Sequence, residues 1–318
     1  MKDPSPIAVT SRSFSKHPIL RAELSEKYSH VRFNDGGISL SGDALVSFLK
    51  GQVKAIIALE VLKEEILSFL PDLKVISKFG VGLDRLDLEA LSRHKIELSW
   101  TPGVNRRSVS ELVLGFTLVL LRHLALLHQE VRSGKWQQRK GQYLTGRTIG
   151  VVGCGYVGKD LIELLQPFQC RILCHDLRED AHLIHQFGVQ YVSLEKLLTQ
   201  SDVVSLHLPL TETTQNILDK KRLSLMKSTA ILINTSRGGL VDEEALKMML
   251  KEERLAGAAF DVFRMEPPTD TELLRLPNFI ATPHIGGSTE EGILAMGRAA
   301  IAGLELAKPV REIMAYAI

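Results

Sequence analysis

The residues best placed to do chemistry in this sequence follow short apolar runs. After Thr148-Ile149-Gly150-Val151-Val152 come Gly153-Cys154-Gly155-Tyr156-Val157-Gly158 and then the helix-like KDLIELLQPF. Alone, GxGxxG is a weak signal, because loops collect glycine. At a strand-to-helix turn it has a mechanism. Gly153 permits the tight turn, Gly155 lets the backbone approach a pyrophosphate, and Gly158 allows close helix–sheet packing. The helix N-terminus adds free N–H groups and a positive dipole end for the phosphates. The next apolar run, CRILCHD, ends at Asp176, 18 residues beyond Gly158. A carboxylate there accepts hydrogen bonds from ribose hydroxyls and repels a 2′-phosphate, which favours NAD over NADP. The competing role for Asp176 is to cap the helix that follows.

Three more residues stand at the ends of later apolar runs. Arg237 follows AILINTS, Glu266 follows AGAAFDV within FRMEPP, and His284 closes FIATPHI. In an open parallel sheet ligands bind outside the carboxyl ends of the strands, so residues just past those ends can share one crevice. Singly, Arg237 reads equally as a surface residue, Glu266 as a turn carboxylate and His284 as a satisfied histidine.

Such residues need a scaffold. Of the 318 residues, 45% are hydrophobic and 24% charged. These are the proportions of a folded chain, and they exclude intrinsic disorder, collagen-like repeats and small disulfide scaffolds. Lys plus Arg number 39 against 37 Asp plus Glu, a net charge of +2, so neither nucleic acid nor a membrane is expected as a partner. Asp3, Pro4 and Pro6 stand where a signal peptide needs an apolar run, and the longest apolar stretch, Leu112 to Leu121, is too short to span a bilayer. Cys154, Cys170 and Cys174 form no CxxC pair. Neither a metal site nor a disulfide framework is therefore expected, and a reducing cytoplasm is the expected compartment.

Along the chain β-rich runs alternate with amphipathic stretches. PIAVTS, HVRFND, KAIIALE, KVISKF and IELSW read as strands, as do TIGVVG, CRILCHD, VQYV, DVVSLHL, AILINTS, AGAAFDV and FIATPHI. Continuous apolar strands separated by helices predict an α/β protein with two doubly wound parallel sheets. The boundary falls near WTPG, with Ser108 and Glu111 reading as a capping box before one long apolar helix from Val109 to about Val131 that wedges between the domains. A second crossing after His284 makes the first domain discontinuous. The expected division is 1–100 plus 286–318 for one domain and 101–285 for the other.

GVVGCGYVG, HLPLTETTQNIL, INTSRGGLVDEEAL, AFDVFRMEPP and TPHIGGST, in this order, resemble the signature blocks of the D-isomer-specific 2-hydroxyacid dehydrogenases. ISKFGVGLDRLDLEA and SVSELVLG resemble that family's substrate-domain and interdomain segments, and the general likeness is to its phosphoglycerate-dehydrogenase-like members. The resemblance implies a Rossmann NAD-binding domain at 101–285 and a flavodoxin-like substrate domain from the remaining residues. It implies hydride transfer between NAD and a small D-2-hydroxy or 2-oxo acid, such as 3-phosphoglycerate or hydroxypyruvate, and a homodimer. By the same resemblance Arg237 clamps the substrate carboxylate, His284 exchanges the hydroxyl proton, and Glu266 holds the imidazole and favours its charged form. Asp261 matches the position that binds the nicotinamide carboxamide, and Tyr156, Val157, His207, Leu208, Pro209, Thr214 and Thr235 line the cofactor. Lys78, Val81 and Gly82 face the substrate.

Several of these residues keep a plainer role open: Asp261 as a strand-end cap, His207 as a packed histidine, Lys78 as a solvated lysine. The chain also departs from the animal phosphoglycerate dehydrogenases, which carry an arginine near where Leu59 and Glu60 stand here. That argues against phosphoglycerate as the substrate, and no C-terminal regulatory domain is expected. The other functional classes open to these motifs are a dinucleotide-sensing, corepressor-like protein and a dehydrogenase of another small anion.

Overall fold

Each of the twelve apolar runs forms a strand in the computed structural model, which describes residues 2–317. The strands are β1 (Ile7–Val9), β2 (Val31–Phe33), β3 (Lys54–Ile57), β4 (Val75–Lys78), β5 (Glu97–Ser99), β6 (Thr148–Val152), β7 (Arg171–His175), β8 (Gln190–Tyr191), β9 (Val203–Leu206), β10 (Ile231–Asn234), β11 (Gly257–Phe260) and β12 (Phe279–Ala281). A thirteenth, β13 (Lys308–Pro309), is a two-residue antiparallel addition beside β5. Its proline, which cannot donate to a ladder, sits at the sheet edge where none is required of it.

The chain divides into two units. One ends at Asn105 and resumes at Ser288; the other is Arg106–Gly287. The boundaries lie a few residues past those expected at 100 and 286.

In the first unit the sheet order is β13-β5-β4-β3-β1-β2, parallel except for β13. The order reverses between β1 and β3, the flavodoxin-like arrangement. Alternate residues of one strand serve opposite faces: Ala8 joins one core with Leu45 and Leu91, while Ile7 and Val9 join the other with Phe14 and Met296. The helix Glu290–Leu306 covers the second face and presses close to it. A Cβ on Gly303 would lie 2.3 Å from the Ser77 hydroxyl oxygen.

In the second unit the order is β12-β11-β10-β9-β6-β7-β8, all parallel, and reverses between β6 and β9. This is the Rossmann winding. Again both faces are buried, Leu232 on one side and Ile231 and Ile233 on the other. Each such side chain contributes about 1.5–3 kcal/mol by leaving water, which is why these strands read as unbroken apolar runs rather than alternating ones.

The long helix differs from expectation. It runs Arg106–Leu121, breaks, and continues as Leu124–Arg132 at an angle of 60°. His123 at the break is left-handed, with φ 53°. The Leu121 carbonyl accepts from Gln142 N–H at 2.9 Å, so the returning chain takes the acceptor that a continuous helix would have used. The second segment buries no residue. Nor is Ser108 a cap: it lies inside the helix, and its hydroxyl donates to the Gly286 carbonyl at 2.6 Å. Among the described residues no single helix is long and apolar enough to cross a membrane.

Candidate active site

The glycine loop leaves β6 at the point where the strand order of its sheet reverses. Gly153 has φ +95°, and a Cβ on it would lie 2.7 Å from the carbonyl oxygen of His207, the residue after β9. Only glycine meets both demands. A Cβ on Gly158 would lie 2.2 Å from the Gly153 carbonyl oxygen, so the helix Tyr156–Leu164 is packed directly on the loop. Gly155 caps that helix with no side-chain hydrogen bond, and a Cβ there would meet nothing within 4 Å. The first-turn N–H groups thus face open space, as a pyrophosphate requires.

Asp176 does not cap the next helix; Asp180 does. One Asp176 oxygen accepts from Cys154 N–H at 2.6 Å and the other from Leu177 N–H at 2.7 Å. The carboxylate therefore ties the loop to the end of β7, where a ribose would arrive. The Cys174 thiol is pushed up by its contact with Cys154 and by burial, so it stays protonated and serves as packing.

Further along the same edge, His207 bonds through Nε2 to the Ser205 hydroxyl at 2.9 Å, while its Nδ1 is buried without a partner among the described residues. Burial pushes the imidazole down to about 4, so it is neutral near pH 7. The buried Thr235 hydroxyl also has no partner among the described residues. Unpaired polar atoms beside a glycine loop with an open first turn fit a dinucleotide. Tyr156 is exposed and Val157 half-buried on that turn; Leu208 packs into the core and Pro209 is exposed. The Thr214 hydroxyl is committed within its own loop, donating to the Pro209 carbonyl at 2.7 Å.

Arg237, Glu266 and His284 follow β10, β11 and β12, three adjacent strands. His284 Nδ1 lies 3.0 Å from one Glu266 oxygen and 3.1 Å from the other. His284 is left-handed, with φ 56°, an uncommon conformation for a residue with a Cβ, which the surroundings must enforce. Asp261 enforces it. Its buried carboxylate accepts from the Thr282 hydroxyl at 2.6 Å and from the N–H groups of Ile285 and Gly286 at 2.7 Å each, and its carbonyl accepts His284 N–H at 3.0 Å. Asp261 thus shapes the histidine turn. Thr282 and Ser108, which support this turn, are not among the expected site residues: Ser108 reads as a cap in the sequence, and Thr282 stands inside the TPHIGGST block.

The Arg237 loop is fixed by Asn234, whose side-chain amide donates to the Arg237 carbonyl at 2.8 Å. Next to it, a Cβ on Gly238 would lie 1.9 Å from the Phe263 carbonyl carbon. The loops bearing Arg237 and Glu266 therefore touch backbone to backbone.

In the first unit, Lys78 ends β4. It is buried rather than solvated, and its ammonium donates to the Ala58 carbonyl. The Ala58 N–H donates to Glu60 at 2.8 Å, and Glu60 also accepts from the Thr10 hydroxyl at 2.6 Å. Val81 accepts the Trp100 indole N–H at 2.8 Å, and Gly82 follows in the same half-buried loop.

The model of the D-isomer specific 2-hydroxyacid dehydrogenase NAD binding domain matches residues 114–286. A hydroxypyruvate reductase of Thermotoga maritima is 38% identical over 231 residues, 71% of this chain and 74% of that protein. A glyoxylate reductase of Thermococcus litoralis is 37% identical over 258 residues, 78% of this chain and 75% of that one. A D-lactate dehydrogenase of Aquifex aeolicus, solved with NAD and lactic acid, superposes with a TM-score of 0.82 at 27% identity, covering 95% of this chain and 94% of its own. The likeness thus extends from the glycine loop to both sheets, and this chain belongs to the D-isomer-specific 2-hydroxyacid dehydrogenases.

Proposed function

We propose that this chain interconverts a small, unphosphorylated D-2-hydroxy acid and its 2-oxo acid, with Arg237, Glu266 and His284 carrying the reaction. The observation behind it is the His284–Glu266 pair, 3.0 Å apart at the carboxyl ends of the Rossmann strands. NAD, when bound, supplies the acceptor or donor of the hydride. Because Nδ1 is held by Glu266, Nε2 is the atom left to exchange a proton with the substrate oxygen, and the carboxylate stabilises the imidazolium that forms. Arg237 presents a permanently charged planar fork suited to a carboxylate and to polarising the adjacent carbonyl. Asp176 favours NAD, since a 2′-phosphate would meet its negative charge.

The relatives named for hydroxypyruvate and glyoxylate support small oxo acids as substrates. Two features of the first unit argue against a phosphorylated one. Lys78, the cation a phosphate would seek, is bonded to Ala58, and Glu60 is anchored to that same residue. Val81 and Gly82 remain the backbone groups proposed to meet substrate. The exposed Leu124, Val131 and Trp136 on and beyond the helix Leu124–Arg132 support a homodimer, and three free thiols suit a reducing cytoplasm. The test follows NADH absorbance with hydroxypyruvate, glyoxylate, 3-phosphohydroxypyruvate and 2-oxoglutarate. Turnover of the first two, lost in Arg237→Ala, is expected; turnover of the phosphorylated acid alone would refute the substrate class.

A further inference from the structure

The segment that carries Glu266 is packed in the core at Phe263 and exposed from Arg264 to Pro267. Phe263, Arg264, Met265, Pro268 and Thr269 line an open pocket of about 280 Å³ together with Glu243, and Met265 is largely exposed. Close packing, which fixes most backbone in a protein interior, ends at Phe263. Polar contacts from one helix take its place. Glu243 opens the helix Glu243–Lys251, and its Oε1 accepts the Arg264 N–H at 2.8 Å. One turn later Lys247, itself buried, reaches Asp270 at 2.9 Å. Residues four apart share a helix face, so one face holds the segment at both ends.

The contact at Arg264 bears directly on the reacting groups. The preceding N–H, that of Phe263, donates to Glu266 Oε1 at 3.2 Å, and Glu266 in turn holds His284. Two successive N–H groups of one turn are thus shared between two carboxylates, one on the helix and one at the site. Releasing the first frees the turn that aims the second.

We propose that Glu243 is a positioning residue for this reaction, its carboxylate holding the Arg264 N–H so that Glu266 stays aligned with His284 Nδ1. The inference rests on the reading that Glu266 and His284 carry the proton transfer. Glu243→Ala removes the acceptor, whereas Glu243→Gln keeps an oxygen at the same reach.

The experiment compares both full-length variants with wild type in NADH-dependent reduction of hydroxypyruvate, together with NADH affinity by fluorescence and hydrogen exchange of the segment 262–268. Glu243→Ala is expected to lower kcat by about 10- to 100-fold, the scale of an ångström's misplacement. NADH affinity stays unchanged, and amide exchange in the segment speeds up. Glu243→Gln recovers most of the lost kcat and restores slow exchange. Unchanged kcat in Glu243→Ala, or equal impairment in both variants, overturns the proposal. So does slow exchange that persists without the carboxylate. If wild type itself shows no His284-dependent turnover, the reading of the reaction has failed, and the exchange measurement still decides whether Glu243 holds the segment.

Discussion

A left-handed histidine held by a buried aspartate is the residue-scale signature of this site. Asp261 spends its carboxylate on three donors, so the turn bearing His284 is set before any ligand arrives. Strand position alone leaves Arg237, Glu266 and His284 as candidates with plainer roles open, and their proposed roles come from the family blocks around them; the structure adds that His284 and Glu266 are hydrogen-bonded. The supports were not legible: a hydrogen bond from Ser108 to Gly286 spans 178 positions, and no local pattern announces it. Nor could the sequence show that Lys78 would be buried and bonded to a backbone carbonyl. His207 gives a measurable consequence. Its ionisation is depressed from 6.5 to about 4. The unfolded chain therefore takes up a proton below pH 6.5 that the folded one refuses, and stability present above that pH is lost as pH falls toward 4. By linkage, about 2 kcal/mol is lost between pH 7 and pH 5. Urea unfolding at the two pH values checks this, and His207→Leu removes that part of the loss.

At the scale of elements, the glycines of the loop do different work and separate cleanly under substitution. Gly155 borders open space and caps the helix, so Gly155→Ala meets no clash and costs only the N-cap preference for glycine over alanine, about 0.5–1 kcal/mol. It places a methyl group where the pyrophosphate is proposed to lie, and is expected to weaken NADH binding by about tenfold or more, the 1.4 kcal/mol scale of a lost phosphate contact. Gly158→Ala drives its Cβ into the Gly153 carbonyl and destabilises by about 1–3 kcal/mol. Thermal unfolding and NADH fluorescence titration of both variants test the contrast. Strands were readable because burial on both faces makes them continuous apolar runs. The break at His123 was not, because Gln142, about twenty residues on, supplies the N–H that ends the first helix. β13, two residues with a proline, carries no periodicity to read.

For the molecule as a whole, the two units make different demands on the chain. The second is one continuous stretch, Arg106–Gly287, with cores on both faces of its sheet. The fragment 106–287 is expected to unfold cooperatively and to bind NADH without turning over an oxo acid. The first unit depends on Met296, Ala300, Ile301 and Leu304 returning after residue 288 to fill one face. A chain ending at 287 leaves that face open and is expected to lose the first unit's cooperative transition while keeping the second's; calorimetry of both fragments checks this. The discontinuity was visible in the sequence only as a glycine-rich crossing after His284.

The measurement that bears most directly on the account is single-turnover oxidation of NADH by hydroxypyruvate, wild type against His284→Ala, with NADH affinity measured in parallel. The account predicts a loss of about 10²–10⁴-fold in the rate of the chemical step, with NADH affinity retained, because the glycine loop and the histidine turn are separately supported. A variant that reduces hydroxypyruvate at the wild-type rate would contradict it.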